Sequence, residues 1–168
     1  MNSLSGKSIL VIDDDPGMLR ALDKVLRGAG ADVTSVDWAG DGIEILSDRK
    51  KHVDLVITDL RMPFVNGMTV VYAVHQVFSE LPVIVLTAYA TPETRATCRE
   101  HNVAAFLEKP LNSEQLIKAV CKALTRSSRR GGSGNPSSQP ISERKEPVHR
   151  GKANRQKPDQ QKEQTNEN

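Results

Sequence analysis

The chain has 168 residues and a formal net charge of +2 at pH 7, a length that suits one ordinary domain with a segment to spare. No run approaches the ~18 consecutive apolar residues of a membrane span, and aspartates interrupt the short apolar run near the N-terminus, so we expect a cytoplasmic protein. Cys98 and Cys121 show no metal-ligand spacing, so we expect reduced thiols and not a disulfide scaffold.

Five short runs of apolar and β-branched residues follow one another along the first part of the chain. All but the second are continuously apolar, which is typical of a sheet covered on both faces. Strands are predicted at 8–12, 32–36, 54–58, 83–87 and 104–107.

Longer amphipathic segments follow each of these strands. Pro16 stands in the first turn of the first segment and Gly30 at its end, which is the usual placement of these residues in a helix. Thr91 is predicted to cap the fourth helix, and Asn112 or Ser113 the fifth. Strands alternating with helices predict an α/β fold, a (βα)5 doubly wound five-stranded parallel sheet. Helices are predicted at 16–30, 40–50, 67–78, 91–101 and 112–124.

The chain changes character after the last predicted helix. Residues 1–125 carry 13 Lys and Arg against 16 Asp and Glu, whereas residues 126–168 carry 10 against 5 and only three apolar side chains. Such a segment cannot bury enough apolar surface to offset its ordering entropy. We therefore predict a folded domain at 1–126 and a disordered, solvated tail at 127–168, and we expect no dedicated nucleic-acid arm.

Polar side chains follow the predicted strands at the edge of the sheet where their carboxyl ends meet. Ligands of doubly wound sheets bind at this edge, so these side chains are expected to converge there. Carboxylates, with water and phosphate oxygens, are the usual ligands of Mg²⁺, which indicates a magnesium ion beside an anionic group. The side chains are Asp13, Asp14 and Asp15 after the first strand, Asp59 after the third, Thr87 at the end of the fourth and Lys109 after the fifth.

Residues 7–125 resemble the receiver domain of two-component response regulators. The resemblance rests on four motifs in order: DDD after the first strand, DLRMPFVNGM after the third, LTAYA at the fourth and FLEKP at the fifth. The family's spacing of an Asp, then Met-Pro and then Gly, is met by Asp59, Met62, Pro63 and Gly67. The resemblance implies the flavodoxin-like strand order 2-1-3-4-5.

By this resemblance Asp59 is the phosphoacceptor, which receives a phosphoryl group from a histidine kinase or a phosphotransfer protein. Lys109 is expected to pair with Asp59 and then with a phosphoryl oxygen, and Thr87 to donate its hydroxyl to another. The Lys109–Pro110 peptide is expected to be cis. Asp15 is expected to be an exposed turn residue. The implied magnesium ligands are Asp13, Asp14, Asp59 and the backbone carbonyl of Arg61.

Phe106 occupies the aromatic switch position of receivers, so Thr87 and Phe106 are the expected switch residues, although core packing accounts for a phenylalanine there equally well. The signal is expected to leave through the face built by the fourth helix, fifth strand and fifth helix. Arg61 and Tyr89 stand where receivers tune water access, and bulky residues there are expected to slow hydrolysis. Trp38 is expected to pack on the rim of the site, with no assigned role.

Two other interpretations remain open. The DDDPG segment can be interpreted as the first motif of a haloacid-dehalogenase-type phosphatase, but no further acidic cluster follows Lys109 in the folded part, and DLRMPFVNGM stays unexplained. A non-phosphorylated pseudo-receiver scaffold typically lacks one of the acids or the lysine, and this sequence keeps them all.

No output-domain pattern follows Leu124, so we expect a stand-alone receiver. Its expected partners are the phosphodonor, an unidentified downstream protein and, in the phosphorylated form, a second copy of the chain. Such a domain is not a conventional enzyme, because it catalyses only its own aspartyl phosphorylation and dephosphorylation.

Overall fold

The computed structural model describes residues 3–48 and 50–130, and five strands alternate there with five helices. The strands are β1 (Ser8–Ile12), β2 (Asp32–Val36), β3 (Leu55–Asp59), β4 (Val83–Thr87) and β5 (Ala105–Glu108). The helices are α1 (Pro16–Gly28), α2 (Ala39–Ser47), α3 (Gly67–Val77), α4 (Pro92–Glu100) and α5 (Ser113–Arg130).

The strands form one sheet in the order β2-β1-β3-β4-β5, and every neighbouring pair is parallel. This confirms the predicted doubly wound fold. Because β1, β3 and β4 are the central strands, all of their carboxyl ends lie at the middle of one edge of the sheet.

Successive residues of the central strands face opposite sides of the sheet, as a strand's two-residue period requires. Ile9 and Val11 pack in a core with Leu22 of α1 and Leu116 of α5. The alternate strand residues pack in a second core, which includes Val70, Val71 and Val74 of α3 and Cys98 of α4. The central strands are therefore covered on both faces. The sequence of β5 is continuously apolar, but the strand is only half-buried because it lies at the edge of the sheet.

Two strands lie one residue later in the chain than predicted. β3 ends at Asp59, which still pairs with Leu86 of β4, and β5 ends at Glu108, which pairs with Thr87. Backbone pairing with the neighbouring strand decides these ends, and a polar side chain at the edge does not interrupt it. The sequence predicts Asp54 as the first residue of the third strand, but β3 begins at Leu55. The carboxylate of Asp54 accepts the backbone N–H of Ser8.

Polar residues cap every helix except α2, and those of α4 and α5 are the predicted ones. Asp15 is exposed and its carboxylate accepts the N–H of Gly17, so the third aspartate caps α1. Thr91 and Thr94 form a capping box at α4. The cap of α5 is Asn112 and not Ser113, because its side-chain oxygen accepts the N–H groups of Glu114 and Gln115.

Helix α5 continues to Arg130, four residues past the predicted boundary at 126. The hydroxyl of Ser127 donates to the carbonyl of Glu80 at 3.0 Å, which fastens this last part of the helix to the loop before β4. The remainder of the predicted tail lies outside the described residues. In the ranges 3–48 and 50–130, no helix has the length and apolar character needed to cross a membrane.

Candidate functional site

Four of the six polar residues singled out in the sequence meet at the carboxyl edge of the sheet: Asp13, Asp14, Asp59 and Lys109. Lys109, in the loop after β5, places its ammonium 2.8 Å from Oδ2 of Asp13 and 3.1 Å from Oδ1 of Asp59. The side chains of Asp13 and Asp59 are only 1% and 8% exposed. One cation thus bridges two buried carboxylates that are 46 residues apart in the chain. The Lys109–Pro110 peptide is cis, as the resemblance implies.

Asp14 joins Asp13 and Asp59 in a cluster whose carboxylate oxygens lie within 4.8 Å of one another. Asp13 is buried and Asp14 is exposed, so the cluster opens to solvent on one side. Backbone N–H groups orient the two buried acids: that of Asp15 donates to Asp13 at 2.9 Å, and that of Arg61 to Asp59 at 3.2 Å. Three hard oxygen donors with an open side fit a divalent cation such as Mg²⁺ that keeps several waters.

Burial and charge act in opposite directions on the ionisable groups of the site. Burial raises the pKa of Asp13, and the hydrogen bonds from Lys109 and the Asp15 N–H only partly offset it. For Lys109, burial alone would lower the pKa, but the hydrogen bonds and charges of Asp13 and Asp59 outweigh it and raise the pKa. The ammonium therefore remains charged at neutral pH, and its contact favours the ionised form of Asp13.

Close packing explains why a glycine stands eight residues after Asp59, at Gly67. A β-carbon at this position would overlap the carbonyl oxygen of Asp59 and lie 2.9 Å from its carbonyl carbon. The N–H of Gly67 also donates to the carbonyl of Leu60 at 2.9 Å. The start of α3 therefore packs directly against the backbone that carries Asp59, and only glycine leaves room for this contact.

The hydroxyl of Thr87 is engaged with the loop that follows β4. It donates to the carbonyl of Tyr89 at 3.2 Å and accepts the N–H of the same residue at 3.1 Å. The Tyr89 ring is exposed, and the guanidinium of Arg61 lies 4.8 Å from the ring centre. The two residues expected to tune water access are therefore in direct contact, which residue spacing alone does not reveal.

Phe106 is half-buried, and its ring carries a contact that the sequence does not indicate. The guanidinium of Arg95, from α4, lies 4.8 Å from the centre of the ring and 3.3 Å from a carboxylate oxygen of Glu108. Arg95 thus joins α4 to β5. Its position in a mixed-charge helix resembles that of any solvated arginine, so no sequence signal distinguishes it.

Trp38 lies at the same edge of the sheet, at the start of α2, and is partly exposed. Its ring meets the ring of Phe64, from the loop between β3 and α3, in an edge-to-face arrangement with centroids 6.5 Å apart. Phe64 is almost fully exposed and was not singled out in the sequence. A positive φ of 67° in its backbone could not be anticipated from the residue type.

Comparison with known proteins identifies the family. Residues 9–121, about two thirds of the chain, match the family of the response regulator receiver domain. The chain belongs to this family. The strand order described above is that of a receiver domain.

Sequence relatives of this receiver domain are transcriptional regulatory proteins and two-component response regulators. Transcriptional regulatory protein GlrR of Escherichia coli K12 is 35% identical over 119 residues, which are 71% of this chain and 26% of the relative. Transcriptional regulatory protein PrrA of Mycobacterium tuberculosis is 35% identical over 134 residues, 79% of this chain and 55% of the relative. The chain therefore spans between a quarter and about half of the length of these relatives.

Solved structures agree with this assignment. A response regulator receiver domain protein from Clostridium thermocellum superposes with a TM-score of 0.70 at 26% identity, over 74% of this chain and 98% of the other. The non-phosphorylated HemR receiver domain from Leptospira biflexa superposes with a TM-score of 0.64 at 25% identity, over 71% and 94%.

Proposed function

We propose that this receiver domain accepts a phosphoryl group on Asp59 from the phosphohistidine of a histidine kinase or a phosphotransfer protein. The observation that carries the proposal is the position of Lys109, whose ammonium lies 3.1 Å from Asp59 at the open edge of the sheet. A carboxylate nucleophile beside a fixed cation is what phosphoryl transfer requires, because the protein contributes mainly positioning and charge neutralisation.

In the proposed step, an oxygen of Asp59 forms a bond to phosphorus while the P–N bond of the phosphohistidine breaks. The bonding electron pair leaves with the imidazole nitrogen, which takes up a proton, and an aspartyl phosphate results. The backbone N–H of Arg61 orients the Asp59 carboxylate from its other oxygen. Lys109, already in contact with Asp59, neutralises a phosphoryl oxygen, and the Thr87 hydroxyl donates to another after leaving Tyr89.

The reaction is proposed to depend on Mg²⁺. The residues that would hold the ion are Asp13, Asp14, Asp59 and the backbone carbonyl of Arg61, and the clustered carboxylates support this set. When bound, Mg²⁺ supplies positive charge that reduces the repulsion between these carboxylates and the incoming phosphoryl oxygens.

Mass spectrometry of the intact protein tests this function. After incubation with acetyl phosphate and Mg²⁺, we expect the wild type to gain one phosphoryl group, and Asp59→Asn or a chelator to abolish the gain. Asp48→Asn, at an exposed aspartate after α2, is the matched control and should label normally. An undiminished gain in Asp59→Asn contradicts the assignment. Labelling of Asp13 instead supports the phosphatase interpretation, and no labelling by any donor supports the scaffold.

The output is proposed to be a change in protein contacts at the face built by α4, β5 and α5. Lys109 and Thr87 change partners on phosphorylation, and only such differential contacts shift a conformational equilibrium. Phe106 lies on β5, and Arg95 joins its ring to α4. An unidentified downstream protein, or a second copy of the chain, binds this face in the proposed switch.

Amide chemical shifts with beryllofluoride, a phosphoryl mimic, test the output. In the wild type we expect shifts throughout α4 and β5. Lys109→Ala should still take up the mimic to some degree but lose the distant shifts. Arg95→Gln should reduce the shifts in α4, whereas Arg99→Gln, in the same helix but without an ion pair among the described residues, should not. Equal shifts in all four proteins would contradict the proposed route.

A further inference from the structure

Two exposed aromatic side chains stand together on the β2 side of the phosphoacceptor site. Phe64 is 93% exposed and Trp38 is 43% exposed, and their rings contact each other edge to face. Large apolar side chains that remain exposed in a contiguous group mark interaction sites more often than scattered ones do. The aromatic pair therefore indicates an interaction site.

The backbone holds the Phe64 ring away from the protein. Its φ of 67° lies in the left-handed region, which a bulky residue rarely adopts. The N–H of Val65 donates to the carbonyl of Pro63 at 2.8 Å and closes a three-residue turn around Phe64. At the base of the loop, Arg61 and Asn66 form an antiparallel bridge. Glycine or asparagine would suit this backbone better, which indicates that the exposed phenylalanine ring serves a purpose other than folding.

The Trp38 ring is held in a similar way. It lies against the backbone of Gly40 in the first turn of α2, and a β-carbon at Gly40 would overlap the indole nitrogen. The glycine thus allows the indole to lie flat on the helix and to present its edge to Phe64. Both rings are positioned before any partner arrives, which lowers the entropy lost on binding.

An acidic groove lies between α1 and the loop from β2 to α2, the same loop that carries Trp38. Its volume is about 380 Å³. Its charged lining residues are Asp37 and Asp41, both exposed, and Leu19 contributes to its apolar part. Asp14, at the phosphoacceptor site, is exposed as well. Apolar surface bordered by carboxylates is complementary to a protein surface of apolar and basic side chains.

We propose that the phosphodonor protein docks on this surface, with an apolar side chain against Trp38 and Phe64 and a Lys or Arg in the groove at Asp37 and Asp41. This arrangement brings a phosphohistidine to Asp59 from the β2 side of the site. The inference rests on the proposed phosphorylation of Asp59. A small donor such as acetyl phosphate needs no docking surface, and this difference separates the two proposals in an experiment.

The test compares two donors of the phosphoryl group. One donor is acetyl phosphate. To find the other, each histidine kinase and phosphotransfer protein encoded in the source genome is purified and phosphorylated, and the one that labels the chain fastest is chosen. We expect Phe64→Asn, which suits the left-handed backbone, to lower kcat/KM for the protein donor at least tenfold through KM. The rate with acetyl phosphate should stay within twofold of the wild type. Tyr72→Asn, at an exposed aromatic of α3, is the matched control and should change neither rate.

Salt and charge provide a second measurement. The rate with the protein donor should fall as ionic strength rises, and this dependence should weaken in Asp37→Asn/Asp41→Asn, because exposed charges are screened by salt. The docking proposal is overturned if Phe64→Asn leaves the protein-donor rate unchanged or lowers both rates equally. It is also overturned if no protein donor labels a chain that acetyl phosphate labels, or if Phe64→Asn instead abolishes self-association in sedimentation. Failure of every donor to label Asp59 refutes the proposed function itself.

Discussion

The α-carbon of Gly67 packs so closely on the backbone of Asp59 that a side chain at position 67 would overlap the carbonyl oxygen of Asp59. The backbone of residue 67 fixes the position of the β-carbon, and the atom that it overlaps is a main-chain oxygen, so no side-chain rotation relieves the overlap. Helix α3 or the end of β3 must move for anything larger than hydrogen to fit.

Gly67→Ala is therefore expected to lower the free energy of unfolding by about 2–3 kcal/mol, within the range for overpacked positions. Gly28 supplies the control, because it lies in α1 with no atom within 4 Å of a β-carbon placed there. Gly28→Ala should raise stability by about 0.5 kcal/mol through the unfolded state. Urea unfolding of both variants checks this, and equal stability of the two would contradict the packing argument.

Lys109 is expected to stabilise the fold as well as the site. Removing its ammonium leaves Asp13 and Asp59 as buried like charges without a counter-ion. Lys109→Met should therefore lower the free energy of unfolding by about 2–3 kcal/mol at neutral pH without a divalent ion. This loss is somewhat smaller than for a fully buried ion pair, because part of the lysine reaches solvent. Mg²⁺ should restore more stability to Lys109→Met than it adds to the wild type.

Thermal unfolding with and without Mg²⁺ measures this difference. Lys118→Met, which removes an exposed ion pair with Glu114, is the control and should change stability by less than about 0.5 kcal/mol. A Lys109→Met protein as stable as the wild type in chelator would show that the two aspartates do not need the ammonium.

The contact between Arg61 and Tyr89 is expected to lengthen the life of the aspartyl phosphate, if Asp59 is phosphorylated as proposed. A cation over an aromatic ring contributes about 0.5–1 kcal/mol at an exposed site, which corresponds to roughly two- to fivefold in rate. Tyr89→Ala should speed loss of the phosphoryl group by that factor, because Arg61, two residues from Asp59, loses its contact with the ring and the pair is expected to shield the phosphoryl group less from water.

The decay of labelled protein after removal of the donor gives this rate. Arg61→Ala should have a similar effect. The label of the double variant should decay at about the rate of the faster single variant, because both changes break the same contact. Tyr72→Ala, remote in the chain and exposed on α3, should decay as the wild type does. Fully multiplicative effects of the two changes would contradict the cover formed by the pair.

Asp54 makes stability depend on pH in the acid range. Burial alone would raise its pKa, but hydrogen bonds from the Ser8 N–H and the Lys7 ammonium outweigh it and hold the pKa below the usual 3.8. A lowered pKa in the folded state means that this stabilisation is fully present above the unfolded pKa and is lost as the pH falls through the folded pKa.

Asp54→Asn should therefore lower the free energy of unfolding by about 1.5 kcal/mol at neutral pH. The difference in this free energy from the wild type should shrink as the pH falls below 3.8. Unfolding curves over this range provide the measurement. Asp32→Asn, at a carboxylate whose side chain is 79% exposed, is the control and should change the free energy of unfolding at neutral pH by less than about 0.5 kcal/mol. A constant Asp54→Asn difference at all pH values would contradict the lowered pKa.

The positions of Asp13, Asp59, Thr87 and Lys109 could be predicted because each follows or ends an apolar run. Parallel strands bring such residues to one edge whatever their side chains are, so residue order and the topology rules were sufficient. The ends of β3 and β5 were each misplaced by one residue, since backbone pairing between distant strands determines them.

The contacts around the site could not be predicted in the same way. Arg95 reaches Phe106 through a long side chain with many rotamers, and Phe64 is exposed by a left-handed backbone that phenylalanine does not favour. Neither feature leaves a periodic or compositional pattern in the chain. Both depend on how neighbouring loops and helices pack once the sheet has formed.

The contact between Lys109 and Asp13 joins residues 96 positions apart, and it has a consequence for protein synthesis. A ribosome makes Asp13 and Asp59 well before Lys109, and β5 must reach the far edge of the sheet before the ammonium arrives between them. A nascent or truncated chain without β5 presents the acids but not their cation. Competence to bind an incoming anion at this edge is therefore acquired late, and only by a chain whose last strand is in place.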